Sequence, residues 1–103
     1  MKKLFISQPM NGKTEEQILF ERQNAINKVK DFLVDDIEII ESYFSDYEPI
    51  NGCIPLKYLS KSLELLADAD IVYFVEGWSD ARGCKIEHEC AVEYGIDLLY
   101  GGM

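Results

Sequence analysis

Basic residues are scarce in this chain. Ten lysines and arginines stand against 19 acids, for a formal charge of −9. Such a chain repels a backbone of phosphates, which excludes a nucleic-acid polymer as partner. A small ligand gripped locally by amides and hydroxyls stays compatible with it. Histidine occurs once, at His88, so no Ser-His-Asp or Cys-His arrangement has a base to spare. Cysteines number three, an odd count with no CxxC pair, which fits reduced thiols and a cytoplasmic protein. Cys84, His88 and Cys90 lie close in sequence, but Cys90 points away from the helix face that the other two share, so no metal site is expected. There is no GxGxxG and no P-loop, hence no dinucleotide or triphosphate machinery, and no cofactor is expected. No apolar run approaches the ~20 residues of a membrane span. The opening "MKKLFISQPM" has too short an apolar run for a signal peptide, and no small-residue cleavage site follows.

What remains is enough for one core. Nearly half the residues are hydrophobic, 48%, and bulky aromatics are well represented, so the chain should fold. No repeat, low-complexity stretch or linker interrupts it, and residues 1–103 read as a single domain.

Along the chain, "KLFIS" (3–7) is a short apolar strand that runs into the punctuated loop "SQPMNG" (7–12). Thr14 with Gln17 three residues on forms a capping box. Ile18, Ala25, Ile26, Val29, Phe32 and Leu33 then follow helical spacing to about residue 34. "DIEII" (36–40) is a second strand. The stretch 41–54 is long for a connection in so small a domain, and with Tyr43, Phe44 and Tyr47 it should pack over a crevice or across an interface. A second helix spans about 55–67. "DIVYFVE" (70–76) reads as a strand buried on both faces. After "EGWSDARG" (76–83) comes a helix that Gly95 ends, and "IDLLY" (96–100) is a fourth strand.

The order βαβαβαβ implies an α/β, flavodoxin-like parallel sheet of four strands, order 2-1-3-4, with three helices on both faces. Ligands of such sheets bind beyond the C-terminal strand ends at the switch point, here between strands 1 and 3, where loops 7–12 and 76–83 should face each other.

One residue breaks the pattern. In "GCKIEHECAVEYG" (83–95), a turn of roughly 100° per residue gathers Gly83, Cys90 and Tyr94 on one side, flanked by Ile86 and Ala91. Glu87 falls in the middle of that stripe, while Lys85, His88, Glu89 and Glu93 take the solvent face. A structural reading ties Glu87 to Arg82 or Lys57, or sets it just outside the true buried arc. A functional one holds it in a pocket as nucleophile or base, kept ionised by amides at the helix N-terminus.

Taken together, the strand entering "SQPMNG", the "ADADIVYF" strand, "RGCKIEHECAVEYGI" and the closing apolar strand resemble the nucleoside 2-deoxyribosyltransferase-like family, closest to its small-protein branch. Gly83, Glu87, Ala91 and Gly95 match its helix signature in register. The resemblance implies cleavage or transfer at the N-glycosidic bond of a (deoxy)nucleoside or its 5′-monophosphate, with Glu87 as the nucleophile. It further implies that Ser7, Gln8 and Asn11, in a loop with Pro9, Met10 and Gly12, wall the base and sugar, with Met10 and Trp78 packing on the base. Ser79, Arg82 and the Gly83 amide would meet a phosphate. Residues alone leave Ser79 open as a helix cap and Arg82 as a surface ion pair. The family's first-strand tyrosine is Phe5 here, and its aspartate ahead of the third strand is Ser62. Its sugar-contacting aspartate is Ala81, and Asp80, one residue off, would substitute as the substrate-binding carboxylate. Family sites are often completed by a second subunit, which implies a homodimer or higher homo-oligomer. A nucleotide-binding module without turnover, or a partner-binding protein, is the alternative.

Overall fold

The computed structural model describes residues 1–34, 36–44 and 47–101. Four strands, β1 (Lys2–Ser7), β2 (Ile37–Ile39), β3 (Ile71–Phe74) and β4 (Asp97–Tyr100), form one sheet in the order β2-β1-β3-β4. Every pairing is parallel, with Ser7 beside Phe74 and Phe74 beside Tyr100, so the C-terminal ends of β1, β3 and β4 lie level. Three helices connect them: α1 (Glu15–Phe32), α2 (Ile54–Leu66) and α3 (Arg82–Glu93). This is the expected doubly wound arrangement.

Local chemistry accounts for the helix starts. The Gln17 amide donates to Thr14 Oγ1 (3.1 Å) and the Thr14 amide to Gln17 Oε1 (2.9 Å), closing the capping box of α1. Pro55 opens α2, where its missing N–H costs nothing. Gly95, at φ +71°, leaves α3 through a conformation closed to most side chains.

Period-two alternation divides the sheet's side chains between two layers. Leu4, Ile6, Ile71, Tyr73 and Val75 pack against Ala25 and Val29 of α1. Phe5, Val72 and Phe74 pack against Leu66 of α2 and Ala91 of α3. Ser7, two residues beyond Phe5, therefore faces α2 and α3.

The apolar stripe expected on α3 is turned from its true buried arc. Cys84, Glu87 and Ala91 are the buried residues, whereas Tyr94 is 84% exposed and Ile86 lies in solvent. The rotation is about 70°. Tyr94 has already left helical geometry as the C-cap. His88, expected on the solvent face, is half-buried because the aromatic cluster around Trp78 draws it in. Phe44 and Tyr47 of the 41–54 segment lie against Tyr58 of α2. Tyr47 meets Tyr58 of α2 edge-on, with ring centroids 5.1 Å apart, and Lys61 Nζ sits 4.5 Å from the Tyr47 ring. Among the described residues, no helix is long and apolar enough to cross a membrane.

Candidate active site

Ser7 closes β1, and Glu87 is the sixth residue of α3, so the two meet across the upper edge of the α2/α3 layer. The Ser7 hydroxyl donates to Glu87 Oε1 at 2.7 Å, and both residues are buried, Glu87 to 6% exposure. Neither Arg82 nor Lys57 pairs with it; among the described residues Ser7 is its one hydrogen-bond donor. The expected support from helix amides is absent because Glu87 lies beyond the first turn, where N–H groups are already spent on carbonyls four residues back. Burial therefore prevails over the Ser7 hydrogen bond and pushes the Glu87 carboxyl up to about 7.

Cys84, one turn before Glu87, is buried beside the same serine. Burial pushes its thiol up to about 11, and the neighbouring Glu87 adds to this, against the pull of the Ser7 hydrogen bond and Lys13. Cys84 stays a protonated, inert thiol at neutral pH.

The remaining candidates divide by strand alternation and exposure. Gln8 is buried but on the α1 side, opposite Ser7: its Nε2 donates to the Ile18 carbonyl (3.0 Å) and its Oε1 has no partner among the described residues. Pro9 and Met10 are half-buried, while Asn11 and Gly12 are exposed in the turn that follows. The two loops do face each other, since a Cβ on Gly77 would lie 3.7 Å from the Pro9 ring. Trp78 is half-buried with its indole stacked on His88 at 4.3 Å and set against Phe74 at 5.2 Å. His88 Nε2 in turn meets the Tyr100 hydroxyl at 2.7 Å. Ser79, Asp80 and Arg82 are exposed, and Gly83 is half-buried near Leu59. Ser79 is not the helix cap. Ala81 holds that position and makes no side-chain capping bond. The one ion pair among the described residues joins Lys13 to Glu21, not Arg82 to a neighbour.

Sequence reading missed two residues near this end of the sheet. Lys13 Nζ holds Glu21 at 2.8 Å and lies within electrostatic reach of Cys84, which brings a cation to the site's margin. Arg22 is buried in α1, donating to the Ile40 carbonyl (2.7 Å) and to Ser42 Oγ (3.1 Å); Ser42 donates onward to the Ile6 carbonyl (3.3 Å). Burial lowers the Arg22 pKa, with Glu41 opposing that shift. This chain ties the exit of β2 to the end of β1. The signal was available, since Arg22 sits among Ile18, Ala25 and Val29 on the apolar face of α1.

Among the described residues no group of three His, Cys, Asp or Glu side chains is placed to hold a metal ion. Two open cavities, of about 330 and 570 Å³, lie elsewhere on the surface, and neither is lined by Ser7 or Glu87.

The Ser7–Glu87 pair lies at the C-terminal strand ends beside β1 and β3, the place where parallel α/β sheets in general bind their ligands. The chain belongs to the family described as "Domain of unknown function (DUF4406)", whose model matches residues 2–100. No curated protein and no solved structure matches it.

Proposed function

We propose that the protein cleaves or transfers at the N-glycosidic bond of a (deoxy)nucleoside or its 5′-monophosphate, with Glu87 as nucleophile. The observation that carries this is the Ser7–Glu87 pair, a carboxylate tolerated in a buried place at the strand ends and oriented by a hydroxyl. With Oε1 engaged by Ser7, Oε2 is left to attack the anomeric carbon. The C–O bond to Glu87 forms as the C–N bond breaks, and the bonding pair leaves with the base, which takes up a proton. Water, or a second base, then displaces the carboxylate and restores it. A carboxyl near 7 is partly ionised at neutral pH, and the positive charge that develops on the sugar favours its ionised form.

The second reading, a nucleotide-binding module without turnover, is supported by Phe5 and Ser62. They supply neither the phenol nor the carboxylate that the resemblance leads one to expect, and Asp80 is exposed. In both readings the ligand is a small nucleoside or nucleotide, the protein is cytoplasmic, and the chain works as a homodimer or higher homo-oligomer. Thermal-shift screening of deoxynucleosides and their monophosphates tests binding. Mass analysis of acid-quenched reactions tests turnover: the expected product is a sugar ester on the peptide containing Glu87. Binding with neither ester nor base release selects the second reading. A screen with no shift and no base release removes both.

A further inference from the structure

We propose that His88 is a positioning residue: its ring clamps Trp78 and so fixes the 76–81 segment that faces the β1 loop beside Glu87. This rests on the site proposed above and names the side chain that sets one of its two loops. Backbone alone holds the segment weakly. Among the described residues, the hydrogen bonds of its amides stay within residues 75–81, from Trp78 to the Val75 carbonyl, Asp80 to Gly77 and Ala81 to Trp78. They close a single 3-10 turn, Trp78–Asp80, too short to hold itself. Glu76, Gly77, Ser79 and Asp80 are exposed, so the half-buried indole of Trp78 is the one large side chain available as an anchor.

Among the described residues that indole has one flat partner. It lies 26° off parallel to the His88 imidazole, with centroids 4.3 Å apart. Phe74 and Tyr100 meet it at a tilt, at 5.2 and 5.7 Å. The imidazole is itself pinned: Phe74 packs edge-on to it at 5.0 Å, and its Nε2 meets the Tyr100 hydroxyl at 2.7 Å. Phe74 is fully buried in β3 and Tyr100 is its neighbour on β4, so His88 carries fixed sheet positions out to the loop. His88 also follows Glu87 directly on α3. The helix turn that aims the carboxylate at Ser7 thus aims the imidazole at Trp78. Gly77, next to Trp78, faces the Pro9 ring across the gap between the loops. A freed Trp78 lets the two loops part beside the nucleophile, whereas a clamped one keeps them in register. A stacked aromatic pair shifts such an open–closed equilibrium by roughly two- to tenfold.

Trp78 is the only tryptophan, so its fluorescence reports this segment alone. The test compares acrylamide quenching of the parent, His88→Ala and His88→Phe, at a temperature where circular dichroism shows all three folded. His88→Ala should raise the quenching constant at least about twofold and move the emission to the red. His88→Phe restores a flat ring without the Tyr100 hydrogen bond, and should return both toward parental values. Thermal shifts with deoxynucleoside 5′-monophosphates then read the site. The compound that shifts the parent should bind His88→Ala severalfold more weakly and His88→Phe nearly as the parent does. Parental quenching in His88→Ala overturns the clamp. Equally raised quenching in both variants overturns stacking as its cause. A raised quenching constant with unchanged affinity overturns the positioning role. If no monophosphate shifts the parent, that role falls with the proposed site, and quenching alone decides the clamp.

Discussion

Replacing Glu87 by glutamine should make the protein more stable, and only above a particular pH. The folded carboxyl titrates near 7 against an ordinary 4.5, so the folded state holds this proton more tightly than the unfolded chain does. Below about pH 4.5 both states are protonated and burial of Glu87 carries no ionisation cost. As pH rises from 4.5 toward 7 the unfolded chain ionises first, and stability is lost progressively. Above 7 the whole cost is present, about 3 kcal/mol. Glutamine keeps the shape and an acceptor for Ser7, and it has no charge to bury. It also brings an N–H₂ group that needs a partner, which returns about 1 kcal/mol or more. The net gain at pH 8 is therefore about 1–2 kcal/mol, several degrees in Tm for a domain of this size. Urea unfolding of parent and variant from pH 4 to 8 isolates this group, because other carboxylates cancel in the difference. A difference that stays flat with pH, or a Glu87→Gln protein clearly less stable at pH 8, would refute the buried-charge account.

Ser7→Ala removes the one donor that opposes burial, so the Glu87 titration should move further upward, read as a later rise in the pH profile of base release. Arg22→Met should cost about 2–4 kcal/mol in urea unfolding, because it strands the Ile40 carbonyl in the polar chain between β2 and β1. An unchanged midpoint would show that the link is idle. Iodoacetamide at neutral pH, followed by peptide mass analysis, should label exposed Cys53 well before Cys84, which is buried and held as a thiol. Equal rates would contradict the burial of Cys84.

Much of the fold was legible because the sequence punctuates it. The capping box at Thr14, Pro55 and Gly95 mark helix ends, and the unbroken run of β3 fits a strand covered on both faces. Strand order then follows from alternation and handedness. The helical wheel of α3 was less reliable, because it equates apolar with buried. Ala91 and Cys84 are small enough to lie flat on the sheet, whereas Tyr94 leaves the helix at its cap. The position of His88 depends on Trp78 and Tyr100, which meet it only in the folded chain. Gln8 was legible in principle: strand alternation carried one residue past Ser7 turns it toward α1. Arg22 poses the same puzzle as Glu87, a charge within an apolar helical stripe, and was overlooked although the pattern is as plain. The Ser7–Glu87 contact itself joins residues 80 apart in sequence, and only the parallel topology brings them together.

The central claim is that Glu87 is buried in order to attack a sugar carbon. Its most direct test is chromatographic measurement of free base released from a panel of deoxynucleosides and their 5′-monophosphates by the parent and by Glu87→Gln. The account predicts base release by the parent that rises as pH passes through about 7, and none by Glu87→Gln, which still binds the same compound in a thermal shift. Base release by Glu87→Gln at the parental rate, or a parent that releases no base from any member of the panel, would contradict it.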